Sequence, residues 1–142
     1  MAQFIYKGKW LFLVCFILPG ILLGCSDHSK SANQANQNFD TANFDTVKRA
    51  AEGGNANAQN KLGEMYTEGL EVERNLTEGV EWFRKAADQG NAHAQLHLGT
   101  AYLTGVGVPR DDAEAEKWIR KAADQGDPMA KALLKKMAER NK

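Results

Sequence analysis

Cysteine is almost absent from this chain. Two occur, Cys15 and Cys25, and both lie within the first 25 of 142 residues. Everything beyond them is without a disulfide, a thiolate metal site or a cysteine nucleophile. Serine is as sparse: Ser26, Ser29 and Ser31 are all there are, so the rest of the chain also lacks a serine nucleophile. No stretch alternates apolar and polar residues as a half-buried strand would. Charge of either sign is not in excess, with Lys+Arg 18, Asp+Glu 18 and a net charge of +0. No basic stripe marks a nucleic-acid surface. Only one long apolar run exists, Trp10 to Leu23. It is interrupted by Pro19-Gly20 and falls short of the roughly 20 residues that span a bilayer.

What the chain does have is a repeat. Paired alanines stand at Ala50-Ala51, Ala86-Ala87 and Ala122-Ala123, a period of 36 residues. Gly54, Gly90 and Gly126 keep the register, as do Ala58, Ala94 and Ala130, and Leu62, Leu98 and Leu134. Gly63 with Gly99, Tyr66 with Tyr102, and Trp82 with Trp118 extend it. A fixed period of this size means stacked supersecondary units that share one continuous core. Two full units, 48–83 and 84–119, are followed by a partial one, 120–142.

Each unit reads as two helices. Ala94, Gln95, Leu98, Gly99 and Tyr102 share one helical face, and Ala115, Trp118, Ile119, Ala122 and Ala123 share another. Gly90 and Gly126 suit the left-handed position that ends a helix. Asn91 and Asp127 follow as N-caps, and Pro128 fits a first helical position. Asn75 with Glu78, and Asp111 with Glu114, have capping-box spacing. Gly63 and Gly99 fall mid-helix, where glycine costs about 1 kcal/mol against alanine. Close approach of the second helix, with Trp82 or Trp118 laid across the glycine, is the expected reason. In the partial unit Lys135 replaces that glycine. Lys135, Lys136, Glu139, Arg140 and Lys142 therefore read as a solvent-facing cap at a natural end. Phe44 stands one period before Val80, so a leading helix from about Thr41 to Glu52 is expected, giving about six helices in all.

These residues resemble the Sel-one-like repeat family, relatives of the tetratricopeptide solenoids. The family pattern runs A-x-A-Q-x-x-L-G-x-x-Y, a Gly-rich loop, then A-x-x-W-x-x-K-A-A-x-x-G. Ala92 to Asp111 and Ala115 to Gly126 match it nearly throughout. In the first unit Glu71 replaces the second loop glycine and Asn75 the aspartate, so a differently shaped loop is expected there. The resemblance implies an all-α, right-handed solenoid of antiparallel helix pairs, used as an adaptor or scaffold without shared catalytic chemistry. Some secreted proteins of the family carry a disulfide within each unit; this chain has no cysteines to form one.

The first residues look like a targeting segment. Lys7 and Lys9 precede the apolar run, and Leu22-Leu23-Gly24-Cys25 looks like a bacterial lipobox. The expected organisation is a lipoprotein signal peptide at 1–24, a flexible tether at 25–43 and a solenoid domain at 44–142, with Cys25 carrying the lipid. The Ser/Asn/Gln/Ala-rich stretch His28 to Asn43 cannot bury enough surface to order itself, and its coil reach is roughly 20–25 Å. Ser26 after the cysteine favours an outer membrane, periplasm-facing location if the source is Gram-negative. Without Lys7 and Lys9 the 18 basic residues fall to 16 against 18 acidic, a net −2.

Candidate chemistry is thin. His93 and His97 have i, i+4 spacing that can share a metal, but no third ligand is evident, and no metal or cofactor is expected. Gly105–Arg110 is Gly-rich yet lacks the Lys-Ser/Thr of a phosphate loop. Arg84-Lys85 and Arg120-Lys121 recur with the period and read as favourable charge near helix C-termini. By register with tetratricopeptide grooves, partner-facing positions are Asn57, Asn60, Lys61 and Glu64, then His93, Leu96 and Thr100, then Met129 and Lys136. The expected protein is a monomeric, lipid-anchored module of the cell envelope that binds a protein or peptide and no nucleic acid. The rival readings are a small envelope enzyme or ligand binder acting on peptidoglycan or β-lactams, and an effector- or immunity-type protein.

Overall fold

A computed structural model describes residues 42–140. The expected signal peptide, the lipobox-like stretch ending at Cys25, most of the expected tether, and Lys142 of the expected C-terminal cap lie outside the described residues. Six helices follow one another: α1 (Phe44–Glu52), α2 (Ala56–Glu68), α3 (Leu76–Asp88), α4 (Ala92–Thr104), α5 (Asp112–Asp124) and α6 (Pro128–Arg140). There is no strand among the described residues. α2 packs with α3 and α4 with α5 as pairs, while α1 is a lone second helix and α6 a lone first helix. None of these helices is long and apolar enough to cross a membrane.

The helix starts follow from the Asn and Asp residues that precede them. Asn43, Asn55, Asn75, Asn91, Asp111 and Asp127 each accept a hydrogen bond from the backbone N–H three residues on. Asn43 therefore starts α1 at Phe44, short of the Thr41 expected from register. The capping boxes close on one side only. The Glu78 carboxylate accepts from Trp82 Nε1 at 2.9 Å, and that of Glu114 from Trp118 Nε1 at 3.1 Å. A buried indole N–H must find an acceptor, and it takes the one that a full box would turn back to the cap.

The mid-helix glycines do mark close approach, but the tryptophans do not lie across them. A Cβ on Gly63 would stand 2.6 Å from the Phe83 ring, and one on Gly99 would stand 2.5 Å from Ile119 Cγ1. The residue after each tryptophan fills that seat. Trp82 instead joins the apolar cluster of Val47, Ala51, Ala58, Leu62 and Met65. Trp118 joins Val80, Phe83, Ala86, Ala87, Ala94, Leu98 and Ala101. Each indole thus ties its own pair to the helix of the preceding unit. Lys85 Nζ lies 3.6 Å from the centroid of Trp82, and Lys121 Nζ 3.9 Å from that of Trp118. These cation–π contacts account for the periodic lysines.

The first-unit loop differs from expectation. Glu71 takes a left-handed backbone, φ 58°, close to the 73° of its counterpart Gly107. The turn is kept: Gly69 and Gly105 are both left-handed, and the Asn75 and Asp111 N–H groups donate to the Tyr66 and Tyr102 carbonyls. A Cβ on Gly107 would meet the Leu76 carbonyl at 2.5 Å. The side chain of Glu71 reaches α1 instead, where its carboxylate accepts from the Phe44 N–H at 2.8 Å. An acid at a helix N-terminus satisfies an orphan donor and complements the dipole.

Two buried glutamines join successive units. Gln59 Nε2 donates to the Ala51 carbonyl and Gln95 Nε2 to that of Ala87. Their Oε1 atoms accept from Gln89 and Gln125 at 2.6 and 2.7 Å. A buried amide held from both sides fixes the register between neighbouring units.

Candidate binding groove

The first helices α2, α4 and α6 carry the same four register positions each. These are Asn57, Asn60, Lys61 and Glu64 on α2; His93, Leu96, His97 and Thr100 on α4; Met129, Ala132, Leu133 and Lys136 on α6. The spacing i, i+3, i+4, i+7 is one stripe of a helix, and the period of 36 carries it from unit to unit.

Between α4 and α6 the two quartets line an open groove of about 580 Å³. Five of the nine residues expected from sequence meet there: His93, Leu96, Thr100, Met129 and Lys136. Leu96 is half-buried and packs with Leu133 against the third apolar cluster, so it forms the floor and is not a freely exposed anchor. Met129 at the rim is the exposed apolar group, with 70 % of its surface open. His93 is exposed and stands 3.7 Å from Asp127. Thr100 Oγ1 donates to the Leu96 carbonyl. Lys136 is exposed and forms no ion pair among the described residues.

The other four expected residues form a polar seam between α2 and α4. Asn57 accepts from Asn91 Nδ2 at 2.8 Å. Asn60 is buried and donates to Glu64 at 2.8 Å, and Lys61 Nζ donates to the other Glu64 oxygen at 3.1 Å. His97 Nε2 lies 3.6 Å from Glu64, and its ring stacks on Phe83 at 4.7 Å. Burial pushes the Glu64 carboxyl up, but hydrogen bonding with His97 and Lys61 outweighs this and leaves it below its ordinary value. A second groove of about 370 Å³ runs from this seam past Thr67, Glu68, Arg74 and Val106. His97 and Thr100 belong to both grooves.

Sequence reasoning missed His97, Ala132 and Leu133. Carrying Lys61 forward by one and two periods gives His97 and Leu133, and carrying Leu96 forward by one gives Ala132. No group of three or more His, Cys, Asp or Glu side chains able to hold a metal occurs among the described residues.

A family model described as the Sel1 repeat matches residues 56–91 and 92–127. Each match spans one helix pair and the Gln-Gly-Asn or Gln-Gly-Asp link after it. The chain belongs to the Sel1 repeat family. Solved Sel1 repeat structures agree. One from Oxalobacter formigenes is 41% identical over 63% of this chain and 68% of its own, with a TM-score of 0.63. A protective antigen of uropathogenic Escherichia coli with an SLR fold is 42% identical, with a TM-score of 0.68. It is matched over 70% of this chain, which spans only 21% of the antigen. Cysteine rich protein B of Helicobacter pylori is 27% identical over 64% of this chain and 68% of its own, with a TM-score of 0.62. This Sel1 repeat domain has no cysteine between residues 42 and 140, so here packing, caps and the glutamine bridges hold the pairs. No curated protein matches the sequence.

Proposed function

We propose that this protein is a protein–protein interaction module that captures a segment of its partner in the groove between α4 and α6. Sel1 repeat proteins are generally scaffolds for such interactions. The observation that carries the reading here is Met129, 70 % exposed at the rim of a groove whose floor is Leu96 and Leu133. An exposed apolar group above an apolar floor is what a partner side chain buries against, whereas scattered single hydrophobics are ordinary surface. With so few repeats the groove is short, so binding is weak unless membrane avidity helps.

Met129→Glu is the direct test. Its side chain sits in solvent, so the helical signal and melting temperature should stay at wild-type values. Crosslinking pull-downs from the native membrane fraction should lose the partner bands. Wild-type bands with Met129→Glu would move the site off this groove. Leu96→Glu is the poorer variant, because it puts a charge against Leu133 and lowers stability as well.

The lipobox supports a lipid anchor at Cys25 and an envelope location, the outer membrane if the source is Gram-negative. Growth with an alkyne fatty acid should label the wild-type protein, and Cys25→Ser should remove both label and membrane retention. A labelled Cys25→Ser protein would end that assignment.

A further inference from the structure

The two grooves differ in charge, and the difference specifies a partner. The α4–α6 groove is lined by Lys136, His93 and His97 and by no carboxylate. The two acids beside the groove histidines are already engaged. Asp127 Oδ1 accepts from the Ala130 N–H to cap α6, with Oδ2 near His93. Glu64 is held by Asn60 and Lys61 and lies 3.6 Å from His97. Across α6 the imbalance is larger. Lys131, Lys135, Lys136 and Arg140 stand against a single acid, Glu139, in a chain whose net charge is +0. Lys131, Lys135 and Lys136 form no ion pair among the described residues. On α2 and α5 the lysines are engaged otherwise, Lys61 by Glu64, Lys117 by Glu114 and Lys121 by the face of Trp118.

From this we infer that the occupant of the α4–α6 groove is an acidic amphipathic peptide segment. The inference rests on the groove reading above and adds the chemistry of the partner. The segment sets apolar side chains, spaced three or four residues apart, over Leu96 and Leu133 and against Met129. It places a carboxylate where Lys136 Nζ can reach it. His93 and His97 offer ring N–H donors on the opposite wall. Opposite charge at the rim of an apolar groove speeds encounter and fixes orientation, and helix-in-groove recognition uses this combination of an apolar ridge with flanking charge. A concave seat of about 580 Å³ takes side chains, whereas a bilayer surface presents no ridge to fill it.

Selection of a phage-displayed random peptide library on the full chain tests this. The enriched peptides should carry apolar residues at i and i+3 or i+4 together with Asp or Glu. Met129→Glu should abolish their binding. Lys136→Glu should weaken it about tenfold, equivalent to 1.4 kcal/mol, and should shift a repeated selection toward basic peptides. Enriched peptides that are neutral or basic, yet lost with Met129→Glu, would overturn the acidic partner and leave the groove standing. Enrichment indifferent to Met129→Glu, or no enrichment, would overturn both. Phosphatidylglycerol vesicles provide the lipid arm: vesicle binding lost with Met129→Glu, without peptide enrichment, would replace the peptide with a membrane.

Discussion

Gly99→Val is expected to lower the melting temperature of the Sel1 repeat domain by about 10–20 °C, at roughly 4–8 °C per kcal/mol for a domain of about 100 residues. The first new carbon stands 2.5 Å from Ile119 Cγ1, 3.1 Å from the Ala115 carbonyl oxygen and 3.1 Å from the Ile119 amide nitrogen. Ile119 could turn its side chain, but the Ala115 and Ile119 backbone can move only if α5 retreats from α4. Valine then adds two methyl groups beyond that carbon. Overpacking of this kind costs about 1–3 kcal/mol, occasionally more, and the β-branch recovers little helix propensity. Gly99→Ala should fall between valine and wild type, because alanine regains about 1 kcal/mol of propensity while still meeting Ile119. Lys131→Gln is a suitable surface control, since Lys131 is exposed and forms no ion pair among the described residues. Glu114→Gln is not, because it alters an acceptor that holds Trp118 Nε1 and Lys117. Thermal melts of the four proteins decide the point. A valine variant that melts with the control would remove close approach as the reason for the glycine.

Six helices, their order and the caps of α3 to α6 were legible in the sequence because the signal recurs, whereas the Asn43 and Asn55 caps of α1 and α2 were not. One Ala-Ala pair or one mid-helix glycine says little; the pair at three registers and the glycine at two define a unit. What stayed hidden was the identity of neighbours across an interface. Periodicity shows that Gly99 meets something on α5, but Trp118 and Ile119 are adjacent in the chain, and only geometry assigns the seat to Ile119. Glu71 was hidden for a related reason. It breaks the repeat, yet its backbone stays left-handed, and its carboxylate accepts from the Phe44 N–H at the start of α1. At the groove, register gave five of the eight lining residues, and the same period applied to Lys61 would have given His97 and Leu133. Leu96 lies in the groove floor because its neighbour on α6, Leu133, is apolar. Its counterpart Asn60 is polar and belongs to the seam with Glu64 and His97. One register thus serves as apolar floor in one unit and hydrogen-bonding seam in the other.

The largest single loss of stability is expected from Trp118→Ala, about 3–5 kcal/mol, the range for truncating a buried aromatic. Trp118 is 6 % exposed, and its indole reaches past its own helix pair to Val80 and Phe83 on α3. Truncation opens a cavity where α3, α4 and α5 meet. It also removes the Nε1 donor from Glu114 and the ring face beneath Lys121. Trp118→Phe separates these contributions. The smaller ring keeps part of the packing and loses the hydrogen bond, which is worth about 0.5–1.5 kcal/mol net. Far-UV circular dichroism in urea is the measurement, because it does not depend on the fluorophore that has been removed. The alanine variant should unfold at a much lower urea concentration than the phenylalanine variant. In a solenoid each unit contacts only its neighbours, so a cavity at this junction should also uncouple the first pair from the second. Uncoupling appears as a shallower transition, a drop in the denaturant slope, in Trp118→Ala and not in Trp118→Phe. Equal midpoints for the two variants would mean that the indole's size is not what joins the units, and that the hydrogen bond to Glu114 carries the effect.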